Sequence, residues 1–283
     1  MKRFFLAAAA FAALLLSSAA GYGADFETFN VWPDLAPGES ADTEKPTFEY
    51  WKPASKTSDA CLVVCPGGGY NGLAYEHEGD KIARYFTGKG ITTVVLRYRT
   101  PRREGLPKHM AAWQDEQRTV RLVRSHAEEW GINPDKIGIM GFSAGGHLVL
   151  MASTTSLTNS YDPVDDVDKL SCSVNFAVPV YPAYVLQGSP NLGGHGYEDD
   201  DTPMVDDFAF DAATPPMCLV HGDADYICPM GSVAIYGQLR KMNIPAELHI
   251  YAGINHGFGA KPTDNHVGDW LNRVYAWMGK MGF

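Results

Sequence analysis

The sequence predicts an α/β fold, with a mostly parallel central sheet and helices on both faces. Three observations lead there. Short, continuous apolar runs recur along the chain, the pattern of strands covered on both sides. Segments with helical spacing alternate with those runs. Such alternation implies parallel strands joined by right-handed crossovers.

The elements can be taken in order. Met1-Lys2-Arg3, an apolar run from Phe4 to Leu16 and the small residues Ser17 to Gly21 have the layout of a secretory signal peptide. A cut after Ala20 would follow small residues at Ser18 and Ala20. The rival, a membrane anchor, needs roughly 20 apolar residues, and the run is shorter. No Cys follows it for lipid attachment. Residues 21–283 then read as a single catalytic domain, which suits about 260 residues.

Phe26 to Lys56, rich in Pro, Thr and charge, predicts a lead-in arm with one or two outer strands. Cys61 to Cys65 is a strand ended by Pro66 and three glycines. Gly79 to Lys89 predicts a helix, with Ile82, Ala83 and Phe86 on one face. Ile91 to Arg99 is the next β-branched run. His109 to Trp130 predicts one long helix, in which Val120, Val123, Ala127 and Trp130 step by three or four. Ile137 to Gly141 is a strand, and Ala144 to Ser153 a helix. Further strands are predicted at Val174 to Tyr181, Met217 to His221 and Glu247 to Tyr251. Further helices are predicted at Met230 to Met242 and Val267 to Met281.

Composition bounds the partners. With 45% hydrophobic and 20% charged residues, the chain can build an ordinary globular core. The net charge is −10, and loss of Lys2 and Arg3 with the leader takes it to −12. That balance argues against nucleic-acid binding, which wants a basic surface, and against anionic membranes. Five cysteines leave at least one thiol unpaired. Cys61, Cys65 and Cys218 read as small core residues. Export would permit a disulfide at Cys172. Neither CxxC nor a Cys/His cluster suggests zinc, and no metal or cofactor is expected.

In a sheet of this kind, sites sit at the carboxyl ends of the strands. Three places there carry chemistry. The first is Gly141-Phe142-Ser143-Ala144-Gly145-Gly146-His147. GxSxG alone is weak, but here it follows a strand and opens a helix, the context in which such a turn presents a nucleophilic serine. The alternative is an ordinary turn with a serine N-cap. The second is Pro66-Gly67-Gly68-Gly69-Tyr70. Its glycines allow backbone N–H groups to point into a site, as an oxyanion hole requires. Gly68 and Gly69 are the expected donors, with the N–H of Ala144. A phosphate loop would need GxxxxGK[ST], which is absent.

The third place comprises two loops, His221-Gly222-Asp223-Ala224-Asp225 and Gly253-Ile254-Asn255-His256-Gly257. A serine nucleophile needs a base, and the base needs an acid to fix its tautomer. His256 is the expected base and Asp225 the expected acid, with Asp223 as the alternative. His147 and His221 read as packing or wall residues. Tyr70 and His77 are candidates for substrate contact, although His77 could equally begin a solvated helix. Asp115 and Arg118 suggest a structural polar network, and Trp113 and Trp130 packing. The acidic run Glu198 to Asp201 reads as a solvated loop, with a calcium site as the alternative.

CPGGGY, LAYEHEG, LPKHMAAWQDEQRTVRLVRSHAEEWGINPDKIGIMGFSAGGH, HGDADYICP and ELHIYAGINHGFG resemble bacterial esterase/lipase proteins of the α/β-hydrolase superfamily. The resemblance is to the group often labelled acetylxylan-esterase-like, or endo-xylanase-like, and runs from about Ala60 to the C-terminus. By position it implies Ser143 as nucleophile, Asp225 as acid, His256 as base, and Gly68, Gly69 and Ala144 around the oxyanion. It also implies a carbohydrate-ester or small-ester substrate. Pro66 stands where lipase-type relatives often carry His. Tyr184 to Thr214 matches least and is expected to form a cap or loop excursion over the cleft. The expected reaction is ester hydrolysis through an acyl-enzyme, in the periplasm or outside the cell. A general carboxylesterase and a prolyl-oligopeptidase-like peptidase are the enzymatic alternatives. A non-catalytic binding protein is the alternative from another class.

Overall fold

The computed structural model describes residues 26–41, 43–188 and 202–283. The expected leader and the acidic run Glu198 to Asp201 lie outside them, as does the middle of the expected excursion. Eight strands form one sheet in the order β1-β2-β4-β3-β5-β6-β7-β8. They are β1 (Glu27–Asn30), β2 (Thr47–Trp51), β3 (Cys61–Cys65), β4 (Thr92–Arg97), β5 (Ile137–Phe142), β6 (Phe176–Val180), β7 (Met217–Gly222) and β8 (Ala246–Tyr251). The lead-in arm supplies both β1 and β2, which pair antiparallel at one edge. From β4 to β8 every pairing is parallel.

The helices are α1 (Lys81–Gly88), α2 (Met110–Ser125), α3 (Ala127–Trp130), α4 (Ala144–Thr154), α5 (Met230–Lys241) and α6 (Trp270–Met281). Alternate residues of β3 show why its run is apolar throughout. Cys61, Val63 and Cys65 belong to one apolar cluster, which also holds Val120 of α2, Leu148 of α4 and Ile235 of α5. Leu62 and Val64 belong to a second cluster, on the other face, with Ile82 and Phe86 of α1 and Val274 of α6. Each such fully buried side chain contributes about 1.5–3 kcal/mol.

Two boundaries differ from the sequence expectation. The long helix is interrupted at His126, and α3 completes it as a single turn capped by Gly131 at φ 61°. Trp130 still faces the core, stacked on Tyr50 with ring centroids 4.1 Å apart. The apolar spacing therefore passes across the break unaltered. The segment before α1 is also irregular: Glu76–Asp80 forms a π-helical turn, which turns Glu78 inward.

Cys61, Cys65, Cys172 and Cys218 form no disulfide among the described residues; Cys172 donates its thiol to the Ser156 carbonyl at 3.4 Å. The expected polar network is present. Asp115 accepts from Trp32 Nε1 at 2.7 Å and from the Arg99 amide at 2.8 Å, and Arg118 pairs with Asp165 and Asp168. Among the described residues, no helix is long and apolar enough to cross a membrane.

Candidate active site

Ser143 sits between the end of β5 and the start of α4, with φ 54° and ψ −116°. That conformation is sparsely populated for a residue with a Cβ and is held by its surroundings. The Ser143 N–H donates to Val180 O at 3.0 Å, and its carbonyl accepts from His147 and Ala183. The turn is too tight for side chains at two neighbours. A Cβ on Gly141 would lie 2.3 Å from Gly145 O, and one on Gly145 would lie 2.1 Å from Cys65 O.

The loop after β8 brings His256 to this serine. His256 Nε2 is 2.9 Å from Ser143 Oγ. On the other side of the ring, Nδ1 is 2.8 Å from Asp225 Oδ2. Asp225 comes from the loop after β7 and is buried. Its second oxygen accepts from the Ile227 amide at 2.7 Å. Burial works to raise the Asp225 pKa, but hydrogen bonds from His221 and His256 outweigh it and hold the carboxyl below its usual value. Asp223, the alternative acid, is exposed, and its amide is tied to Tyr251 O. The structure thus brings together Ser143, His256 and Asp225, and leaves Asp223 outside.

His221 is buried against Asp225. Its Nδ1 lies 2.8 Å from Ser232 Oγ and its Nε2 3.0 Å from Ile227 O, so the ring braces the Asp225 loop.

The glycine loop after β3 lies beside the serine. A Cβ on Gly67 would be 3.0 Å from that of Ser143 and 2.6 Å from Phe142 O. The Pro66–Gly67 peptide is pinned at both ends. Its carbonyl accepts from the Tyr98 hydroxyl at 2.5 Å, and its N–H donates to Glu78 Oε2 at 2.7 Å. Gly68 takes φ 136° and Gly69 φ 64°. Among the described residues, neither of their N–H groups has a hydrogen-bond acceptor. Ala144, as the first residue of α4, has no acceptor within its own helix. The Gly68 and Gly69 amides thus have no acceptor among the described residues, and Ala144 opens a helix whose N-terminus favours negative charge.

Of the two expected substrate contacts, Tyr70 is turned into the interior and His77 lies partly exposed beside the loop that carries His256. Tyr70, at φ 61°, turns its ring inward to 1% exposure. Its hydroxyl is hydrogen-bonded to His147 Nδ1 at 2.9 Å, so the phenol faces the interior and not an open cleft, which corrects that expectation. His77 is partly exposed and lies against the base loop: its carbonyl accepts from the Ala260 amide at 2.8 Å, and its Nε2 is 3.7 Å from Glu78 Oε1. His147 is fully buried behind the glycine loop.

Sequence reasoning missed Glu78. Its carboxyl is buried at 3% exposure and accepts from Gly67 N–H and, at 2.8 Å, from the Tyr181 hydroxyl. The Tyr181 oxygen in turn accepts from the Gly259 amide at 3.1 Å, and the Tyr181 ring packs edge-on to His256 at 4.8 Å. Burial raises the Glu78 pKa against the hydrogen bonds from Tyr181 and Gly67. The available sign was spacing: Glu78 stands four residues before Ile82, on the face that α1 buries. Tyr226 was also missed. It is 52% exposed, with its ring centroid 4.8 Å from that of His256.

The sheet, the elbow at Ser143 and the contacts around it define an α/β-hydrolase of the esterase/lipase type. Residues 49–191 match the family described as BD-FAE, and the chain belongs to that family. It is 30% identical over 241 residues to an acetylxylan esterase of Xylanibacter ruminicola, covering 77% of this chain and 46% of that protein. The chain spans about a third to three fifths of the length of the curated relatives it matches. Among solved structures, an acetyl ester-xyloside bifunctional hydrolase from Caldicellulosiruptor lactoaceticus superposes with TM-score 0.75 at 29% identity, over 91% of this chain and 97% of that one. Thermogutta terrifontis esterase 2, phosphorylated by paraoxon, shares the fold with TM-score 0.70 at 23% identity, over 92% and 95% of the two chains.

Proposed function

We propose that this chain is an exported serine esterase that deacetylates plant polysaccharide of the acetylated-xylan kind, or its oligosaccharides. The observation that carries the reading is the relay from Ser143 Oγ through His256 to Asp225, with contacts of 2.9 and 2.8 Å. Relatives named as an acetylxylan esterase and as an acetyl ester-xyloside hydrolase support the substrate class. So does Tyr226, whose exposed aromatic face beside His256 offers apolar contact to a sugar ring. The N-terminal leader pattern supports export.

The steps follow from the geometry. Ser143 Oγ attacks the carbonyl carbon of the ester while its proton passes to His256 Nε2. Asp225, held anionic, accepts from Nδ1–H, fixes the tautomer and stabilises the imidazolium. The carbonyl oxygen becomes an oxyanion facing the N–H groups of Gly68, Gly69 and Ala144. One such donor is worth about 10²–10³ in kcat. The tetrahedral species collapses, His256 returns the proton to the departing sugar hydroxyl, and acetyl-Ser143 remains. Water then gives its proton to His256, attacks the acetyl carbon and releases acetate, which restores the serine.

The test is acetate release from acetylated xylan, run beside a small aryl acetate and a Pro-containing peptide amide. The reading predicts release from xylan and from the aryl ester and none from the amide. Cleavage of the amide, or failure on every ester, would contradict it.

A further inference from the structure

Behind the glycine loop, two histidines and a carboxylate meet. His109, at the N-terminal end of α2, is 7% exposed, and His147, on α4, is fully buried. Asp207 lies in the chain between β6 and β7. One ligand atom from each residue falls within 4.8 Å of the other two. His147 Nε2 is 3.7 Å from Asp207 Oδ2.

Two of the nitrogens are left unsatisfied. His109 Nδ1 and His147 Nε2 are buried and have no hydrogen-bond partner among the described residues. A buried polar atom without a partner costs about as much as a lost hydrogen bond, and such an atom in a folded protein calls for a water or an ion. His147 already uses its other nitrogen, Nδ1, on the Tyr70 hydroxyl at 2.9 Å. This is the arrangement of a metal-ligating histidine, whose second ring nitrogen is held by a hydrogen bond that fixes its orientation.

We infer that His109, His147 and Asp207 form a site for one divalent transition-metal ion, zinc being the best match to two imidazoles and one carboxylate. Zinc binds such donors at about 2.0–2.2 Å in a tetrahedron, leaving a fourth position for water. Donor atoms of a tetrahedron that size stand about 3.4 Å apart. The His147–Asp207 pair is near that separation, so closure asks for a small rotation of the outer side chains. Both imidazoles are buried, which favours the neutral form that ligates. Asp207 is partly exposed at 38%, which gives an ion a way in. Lys108, which lies over the Tyr184 ring, opposes a cation here and sets a limit on affinity. The three ligands are far apart in sequence and show none of the short spacings by which metal sites are read. Bound metal would tie α2 and α4 to the chain between β6 and β7, one hydrogen bond away from Tyr70 and its loop.

The inference is independent of the esterase reading and is tested on the full chain without substrate. Protein stripped with a chelator is titrated with Zn²⁺ by calorimetry and with Co²⁺ by visible absorption, and its Tm is followed. His147 is in the core, so the variants are His109→Gln, Asp207→Asn and the two together, each checked by circular dichroism. The wild type should bind about one equivalent and gain several degrees in Tm, since a ligand specific to the folded state stabilises it by mass action. Each single variant should bind at least tenfold more weakly, and the double variant should lose the Co²⁺ spectrum. Absence of saturable binding, or unchanged affinity in the folded double variant, would overturn the site.

Discussion

The Tyr181 hydroxyl donates a 2.8 Å hydrogen bond to the buried carboxyl of Glu78, and through that bond the two loops on which the site depends are joined. Glu78 holds the glycine loop through Gly67 N–H, and the Tyr181 oxygen holds the base loop through Gly259 N–H. Misplacement of a reacting group by about 1 Å can cost about 10²-fold in rate. Glu78→Ala should therefore lower kcat by about that factor while leaving KM nearly unchanged. Glu78→Gln, which can still accept from Gly67 and bond to Tyr181, should recover most of the loss. Steady-state kinetics on an aryl acetate reads both. A change confined to KM would contradict a positioning role.

The two acidic residues of the β7 loop should behave oppositely. Asp225 is 2.8 Å from His256 Nδ1, whereas Asp223 is exposed. Asp225→Asn would favour the wrong tautomer of His256 and should lower kcat by about 10³–10⁴-fold. Asp223→Asn should stay within about threefold of wild type, because it leaves the relay intact. Kinetics of the two folded variants, side by side, checks the assignment.

Tyr226 should separate polymer from small ester. With its ring exposed beside His256, Tyr226→Ala removes apolar surface without touching the relay. KM for acetylated xylan should rise several-fold, while kcat/KM for an aryl acetate should hold. Equal losses on both substrates would place Tyr226 in support of His256 instead.

Glu116 is the clearest stability prediction. It is fully buried on α2, and neither carboxyl oxygen has a partner among the described residues. Burial drives its pKa well above the usual value, against the attraction of Arg121. The unfolded chain releases this proton at ordinary carboxylate pH while the folded chain retains it. Stability is therefore lost as pH rises from the unfolded pKa through the raised folded one. Glu116→Met removes the orphaned oxygens at similar length and should stabilise the fold by about 1–3 kcal/mol. The gain in Tm should be larger at pH 8 than at pH 5. A constant or inverted difference would show that Glu116 has a partner in solution.

The parts of the site visible in the sequence are those whose chemistry is local. Ser143, His256 and Asp225 each stand in a short loop at a strand end, and the elbow serine has glycines at the two positions where a Cβ would collide. Glu78 was hidden because the run Glu76-His77-Glu78 reads as a solvated helix start. Only the π-helical turn at Glu76–Asp80 swings one of its two glutamates inward. Tyr70 was misread because its positive φ, which reverses the side chain, cannot be inferred from a glycine run that ends in tyrosine. The interruption at His126 escaped because Ala127 and Trp130 bury on the same side as the helix before it.

Reaction with a fluorophosphonate probe, followed by mass spectrometry, tests the central proposal most directly. One adduct per chain should form on the peptide carrying Ser143, and folded Ser143→Ala should take up no label and release no acetate. Labelling at another residue, or acetate release that survives in the folded variant, would contradict the proposed nucleophile.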